Sequence, residues 1–284
     1  MRRVIYSFYI DIPKEHLVSH HDSKDKFADN YEWLLESQKA YADKIGVDYR
    51  HYVKDPLFDN YVKWFQDNYP DISYYNIVNF WKIKLLYVLS EWYDEVLYLD
   101  IDVIPVTDLN FFEEMDLSKG IAIMTGTAKS QQPTEWRNTL RYNHDVRSPM
   151  AKMWHSSCML GEADMLVLKP DVFNTGIVGA TKGHIQKLGY LDDFEDTLDL
   201  MSNMITDTDL YPKSISYMFG YDNETVWGYK TYLNKVDYQV LGEDWHYFMD
   251  KWSYITKEAK FVHCVSKDFN YVRQWCEKNN IQPV

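Results

Sequence analysis

Apolar positions follow two rhythms along this chain, and their alternation predicts layers of strands and helices. Residues 2–10, RRVIYSFYI, are a run of β-branched and aromatic residues ended by Asp11 and Pro13, which predicts a first strand. Residues 25–46 carry helical spacing with good helix formers, and Gly46 supplies the C-terminal stop. VDYRHYV (47–53) alternates as a second strand. After Pro70-Asp71, YYNIVNFWKIKLLYVLSEWY (74–93) is long and apolar enough for a largely buried helix. It runs into YDEVLYLDIDVIPV (93–106), which reads as a buried strand carrying two carboxylates, Asp100 and Asp102.

Strand, helix, strand, helix, strand is the order of an α/β domain with a mostly parallel sheet. Ligands of such sheets bind beyond the carboxyl ends of the strands, where Asp100 and Asp102 fall. Further along, residues 125–150 are polar, contain proline and have no clear period. They predict a long loop or insertion, a class of segment that is usually functional or mobile. ADMLVLKP and FNTGIVGA (163–180) predict short strands, 182–203 a helix, KFVHCV (260–265) a late strand and 267–278 a last helix. No repeat, low-complexity tract or linker interrupts the chain, so one domain over 1–284 is the simplest expectation.

Composition narrows the partners. The formal charge of −13 argues against a nucleic-acid backbone, which needs a basic face, but leaves room for a small phosphorylated ligand held by a metal ion and a few lysines. The 24 tyrosines and 10 tryptophans allow stacking on sugars or bases without requiring it. Cys158, Cys264 and Cys276 are odd in number and lack metal-site spacing, which points to a reducing compartment. The N-terminus lacks a signal-peptide pattern, and no stretch approaches a membrane span, so the expectation is a soluble, cytoplasmic protein.

On a strand, residues two positions apart face the same side, so Asp100 and Asp102 can converge on one point. Two carboxylates that close repel unless a proton or cation lies between them. A hard divalent cation, Mg²⁺ or Mn²⁺, answers that repulsion and keeps open positions for substrate phosphates. The competing reading is that both are turn or cap residues.

A helix bearing Lys82, followed by YDEVLYLDIDVIPV, resembles the metal-dependent glycosyltransferases of GT-A fold. The resemblance is closest to the glycogenin and lipopolysaccharide galactosyltransferase family. It extends to FNTGIV (173–178), similar to that family's sugar-pocket strand, to FVHC (261–264), where the family has a late metal-ligating His, and to the opening VIYSFYID. His263 is followed by CVSKDFN, which departs from the family's Gly and Lys-Pro-Trp and places Lys267 four residues on. The resemblance implies a Rossmann-like nucleotide-diphospho-sugar transferase fold with a mixed, mostly parallel central sheet. Residues 1–110 would form the nucleotide-sugar half and 111–284 the acceptor side.

It further implies Asp100, Asp102 and His263 as ligands of Mn²⁺ or Mg²⁺. Ser7, Tyr9, Lys82, Asp100, Asn174, Gly176 and Lys267 would bind the donor. That donor would be a nucleotide-diphosphate sugar, a UDP-sugar before a GDP-sugar. The acceptor would be a glycan, glycoprotein or glycolipid. A long polar loop beside a donor site often orders on binding, which makes 125–150 a candidate lid. Lys82 sits among Val78, Leu85, Leu86 and Leu89, where an ammonium is costly unless paired or snorkelled to the surface. Lys84 is its alternative. In GYDNET (220–225), Asp222 and Glu224 can hold hydroxyls, serve as a base beside Asp102 in the catalytic set, or form a solvated acidic turn. His20, His21 and Asp22 read as surface.

Two other functions compete. Haloacid-dehalogenase-type phosphatases also carry Asp-x-Asp after an apolar strand, but near the chain start and followed by Gly-Thr or a similar hydroxyl residue, where Val103 and Ile104 stand here. A sugar- or nucleotide-sugar-binding module without turnover is the other.

Overall fold

The computed structural model describes residues 1–13, 16, 22–126, 148–207, 209–211, 216–249 and 254–281. The His20-His21 pair and residues 127–147 of the expected loop lie outside them. In chain order the elements are β1 (Arg3–Tyr9), α1 (Asp22–Ile45), β2 (Asp48–Val53), α2 (Pro56–Asn68), α3 (Tyr74–Ser90), β3 (Glu95–Leu99), β4 (Val103–Pro105), α4 (Phe111–Glu114) and β5 (Ile121–Gly126). There follow α5 (Pro149–Glu162), β6 (Val172–Thr181), α6 (Lys182–Leu188), α7 (Phe194–Thr206), α8 (Asn223–Leu233), β7 (Tyr238–Val240), β8 (Tyr247–Phe248), β9 (Phe261–His263) and α9 (Phe269–Lys278). Two compact units result: Met1–Met124 with Gly176–Lys182 and Tyr238–Val284, and Thr125–Thr175 with Gly183–Asp237.

The first unit is built on a six-stranded sheet of order β2-β1-β3-β6-β5-β7. β1 pairs in parallel with both β2 and β3, β5 in parallel with β7, and β3 antiparallel with β6, so the sheet is mixed and mostly parallel. Val4, Ile5 and Tyr6 of β1 are fully buried, as expected of a central strand covered on both faces. Gly179 on β6 is required for packing: a Cβ there would lie 2.6 Å from the Phe111 ring. A smaller sheet of order β4-β9-β8 completes this unit. In the second unit, α8 lies against α5, and the Ser156 hydroxyl donates to the Thr225 carbonyl at 3.1 Å.

The expected strand at 93–106 is two strands in two different sheets. β3 ends at Leu99, residues 100–102 turn, and β4 begins at Val103, whose N–H donates to the Asp100 carbonyl at 2.9 Å. Residues 163–170, expected to be a strand, are irregular, with the Met165 N–H turned back onto the Leu160 carbonyl at 2.8 Å. The expected helix at 182–203 is α6 and α7. Gly189, at φ +54°, takes the left-handed conformation that ends a helix. α2 was not anticipated, although its signals are local: Asp55 accepts from the Phe58 N–H at 2.8 Å, Pro56 opens the first turn, and Phe58, Val62 and Phe65 share the buried face.

The 100–102 turn is held from below by α1. Gln38, fully buried, donates from Nε2 to the carbonyls of Asp100 and Val103, both at 2.8 Å. Its Oε1 accepts from the Tyr49 hydroxyl at 3.1 Å, and Tyr49 meets Ser7 Oγ at 2.7 Å. Ser7 Oγ lies 2.9 Å from His51 Nδ1, and His51 Nε2 lies 2.7 Å from the Tyr31 hydroxyl. Burial pushes His51 down to about 4.

Two outcomes follow from this chain of hydrogen bonds. Gln38→Leu removes three of them from a site without water access and should cost about 1–3 kcal/mol, read as a lower urea midpoint at unchanged slope. A loss below about 0.5 kcal/mol would mean the turn holds itself. For His51, the folded chain resists the proton that the unfolded chain accepts. Stability should therefore be full above the ordinary histidine range and fall as pH drops from about 6.5 towards 4. After allowance for solvent screening the loss is about 1–2 kcal/mol. His51→Asn should flatten that slope in a pH series of melting temperatures, and an unchanged slope would assign it to other groups.

Candidate functional site

Asp100 and Asp102 converge because a turn, not strand alternation, presents them. β4 leaves that turn and pairs antiparallel with β9, with Val103 opposite His263, and the Cys264 N–H donates to the Asp102 carbonyl at 2.9 Å. This pairing carries the late histidine to the aspartates. His263 Nε2 lies 3.5 Å from Asp102 Oδ2 and 3.8 Å from Asp100 Oδ2. One donor atom from each of the three residues falls within a cluster whose members are all within 4.8 Å of one another.

Cationic groups flank the cluster. Lys82, buried on α3, reaches Asp100 Oδ1 at 3.5 Å and lies 5.4 Å from the centre of the Tyr98 ring. Lys84 instead lies over the Tyr61 ring. The Tyr98 hydroxyl donates to Asp100 Oδ1, and the Lys267 ammonium donates to Asp102 Oδ2. Burial pushes the Asp102 carboxyl up, but Lys267 and then His263 outweigh it and hold the group well below the usual carboxylate range. Burial works against the Lys267 ammonium too, and Asp102 reverses it, leaving that group raised. The pair is therefore charged on both sides.

The donor set fits a hard divalent cation. It offers two carboxylates and one imidazole, the mixture of oxygen and nitrogen ligands that Mg²⁺ and Mn²⁺ accept. His263 presents Nε2 to the carboxylates while its Nδ1 lies 2.9 Å from Nε2 of buried His246. An outer partner of this sort fixes the orientation of a ligating ring. Asp100, with its side chain about a quarter exposed, keeps one side of the cluster open to solvent, while Asp102 is buried.

The remaining expected residues lie outside the carboxylate–imidazole cluster itself. Ser7 is fully buried, with its hydroxyl bonded to Tyr49 and His51. Tyr9, at the end of β1, packs its ring against Phe27 and Tyr31. Gly176 uses its carbonyl to accept the Asp100 N–H at 2.8 Å, so this strand abuts the turn through backbone. Asn174, Asp222 and Glu224 belong to the second unit. There Asp222 caps α8, accepting from the Glu224 and Thr225 N–H groups at 2.9 and 3.0 Å. Glu224 accepts from the Thr175 N–H at 2.9 Å, and Lys152 donates to it while lying 3.4 Å from Asp222. The Asn223 amide donates to the Thr175 hydroxyl at 2.8 Å. GYDNET is thus a buried, ion-paired corner and not a solvated turn.

Tyr98, His246, Gln38 and Lys152 were not anticipated. Tyr98 alone had a local signal, two residues before Asp100 and on the strand that leads into its turn. The others are brought in by tertiary contacts that no spacing encodes.

Comparison with known proteins agrees with this chemistry. Residues 4–216 match the model for "Glycosyl transferase family 8". No curated protein matches the chain. Among solved structures, the chain is similar to a glycosyltransferase involved in the glycosylation of the major capsid of PBCV-1, at 12% identity over 98% of this chain and 100% of that one, with a TM-score of 0.45. It is similar to mouse xyloside xylosyltransferase 1 at 12% identity over 93% and 98%, TM-score 0.45. It also resembles the galactosyltransferase LgtC in complex with donor and acceptor sugar analogs, at 13% identity over 86% and 75%, TM-score 0.41. Nothing among these matches supports the phosphatase or the binding module. With three quarters of its length inside the family match and an Asp-x-Asp cluster on a mixed, mostly parallel sheet, the chain has the GT-A fold and belongs to glycosyl transferase family 8, the glycosyltransferases that use nucleotide-sugar donors.

Proposed function

We propose that this glycosyltransferase moves a hexosyl group from a UDP-sugar onto a hydroxyl of a glycan, glycoprotein or glycolipid, with Mn²⁺ or Mg²⁺ held by Asp100, Asp102 and His263. The observation that carries this reading is the convergence of those three side chains on one point. A cation bound there would supply positive charge to the diphosphate as it leaves. Lys82, beneath Asp100, would add a second fixed positive charge on the donor side. Lys267 now neutralises Asp102, and its long stem lets the ammonium turn to a phosphate once Asp102 has another counter-charge. Asn174 and Gly176 would line the sugar, with glycine allowing close approach; Ser7 and Tyr9 would support the nucleotide end through β1.

Asp222 and Glu224 are assigned to holding sugar or acceptor hydroxyls. Both oxygens of Glu224 already accept hydrogen bonds, from Thr175 and from Lys152, which favours positioning over proton abstraction and accords with retention of anomeric configuration. The cysteines at 158, 264 and 276 are free thiols, in keeping with a cytoplasmic, reducing setting, and among the described residues no helix is long and apolar enough to cross a membrane.

UDP should bind at least about tenfold more tightly with Mn²⁺ than with excess chelator, a difference of about 1.4 kcal/mol by calorimetry. Equal affinities would sink the metal reading. Asp102→Ala should remove several kcal/mol of transition-state stabilisation, roughly a thousandfold in rate, and Asp100→Ala should weaken donor binding along with turnover. His263→Ala should raise the Mn²⁺ requirement in a protein that still folds. A lowered melting temperature with the Mn²⁺ requirement unchanged would make His263 structural.

A further inference from the structure

Behind the candidate metal ligand stands a second histidine that the glycosyl-transfer chemistry does not call on. His246 is fully buried on the approach to β8, with its backbone N–H donated to the Gly242 carbonyl at 3.0 Å. Its Nε2 meets His263 Nδ1 at 2.9 Å, the two rings lie 5.2 Å apart at 26°, and Phe248 stacks on both, at 4.6 Å on His246 and 5.2 Å on His263. The stack is fixed by strand pairing, since Phe248 on β8 is in register with His263 on β9. Neither ring has room to swing freely.

We propose that His246 is the positioning residue of the cation site: its Nε2 lone pair accepts the Nδ1 proton of His263 and thereby reserves His263 Nε2 for a divalent cation. This rests on the reading of Asp100, Asp102 and His263 as the metal ligands. The proton arithmetic is closed. A 2.9 Å contact between two ring nitrogens needs one proton, not two or none. When His263 Nε2 gives its lone pair to a cation, that proton must sit on His263 Nδ1, so His246 Nε2 must be bare.

Neutral His246 then carries its only proton on its own Nδ1, and that atom is buried with no hydrogen-bond partner among the described residues. An orphaned buried N–H is among the least tolerated polar groups in a folded chain. A histidine there, where a phenylalanine would match the surrounding stack without that cost, is accounted for by the acceptor it offers to His263.

Two measurements on the full chain decide the matter. Mn²⁺ alone, titrated while the free-ion electron paramagnetic signal is followed, should bind about 10–100-fold more weakly to His246→Phe than to the wild type. His246→Gln places an amide oxygen near the lost nitrogen and should recover most of that affinity. Melting temperatures taken alongside separate folding from binding. In parallel, ¹⁵N ring spectra of the wild type saturated with Mg²⁺ should show His263 and His246 both protonated on Nδ1. Wild-type affinity in His246→Phe, or a His246 ring protonated on Nε2 in the Mg²⁺ form, would overturn the proposal. Should His246→Phe fail to fold, His246→Gln and the wild-type spectra still decide it. Absence of any Mn²⁺ binding by the wild type would overturn the metal reading itself, and this one with it.

Discussion

Repulsion between the carboxylates of Asp100 and Asp102 is the constraint around which the first unit is arranged. Two negative charges turned towards one point, one of them buried, are tolerable only if positive charge comes from elsewhere in the chain. It comes from two directions: Lys82 on a buried helix and Lys267 after the last strand. Each provider is itself held in place. Lys82 offers its backbone carbonyl to the Tyr6 hydroxyl at 2.8 Å, and Lys267 adopts a left-handed backbone at φ 56° that brings its ammonium back over the turn.

The arrangement also explains why the pair stands on a turn. Had Asp100 and Asp102 stayed in one strand, both would point from one sheet face, and β9 would have no edge on which to present His263. Leaving β3 after Leu99 and restarting as β4 gives the chain a new edge, which β9 takes. Gln38 satisfies the carbonyls that the change of direction exposes. The resulting charge balance is near neutral, two carboxylates against two ammonium groups. A cation and a diphosphate can therefore enter together without leaving a large residual charge in a half-buried place.

Much of this was readable from the residues, and the rest was not for definite reasons. The parallel strands, the buried helix and the Asp-x-Asp cluster announce themselves through local apolar runs and one conspicuous violation of them. Capping chemistry at Asp55 and Pro56 is equally local, but the strand–helix alternation is complete without the helix they start. The break of 93–106 into two strands could not be seen, since its cause is pairing with residues far along the chain. Leu166 and Leu168 read as strand residues by composition but are exposed and belong to neither sheet of the described residues. The choice between Lys82 and Lys84 likewise depended on which face of α3 meets Tyr98.

The β4–β9 pairing has a bearing on how the chain reaches its native state. Lys267 and Asp102 are 165 residues apart, so the charged cluster closes across most of the polypeptide. Contacts of such separation form late, because the entropy of drawing the ends together is lost before any contact offsets it. Until β9 docks, Asp100 and Asp102 face each other without Lys267 or His263, and the turn is electrostatically frustrated. Any cation that requires all three ligands binds only the fully docked chain and shifts the equilibrium towards it by mass action. The same ion that serves the chemistry would thus draw the last strand home.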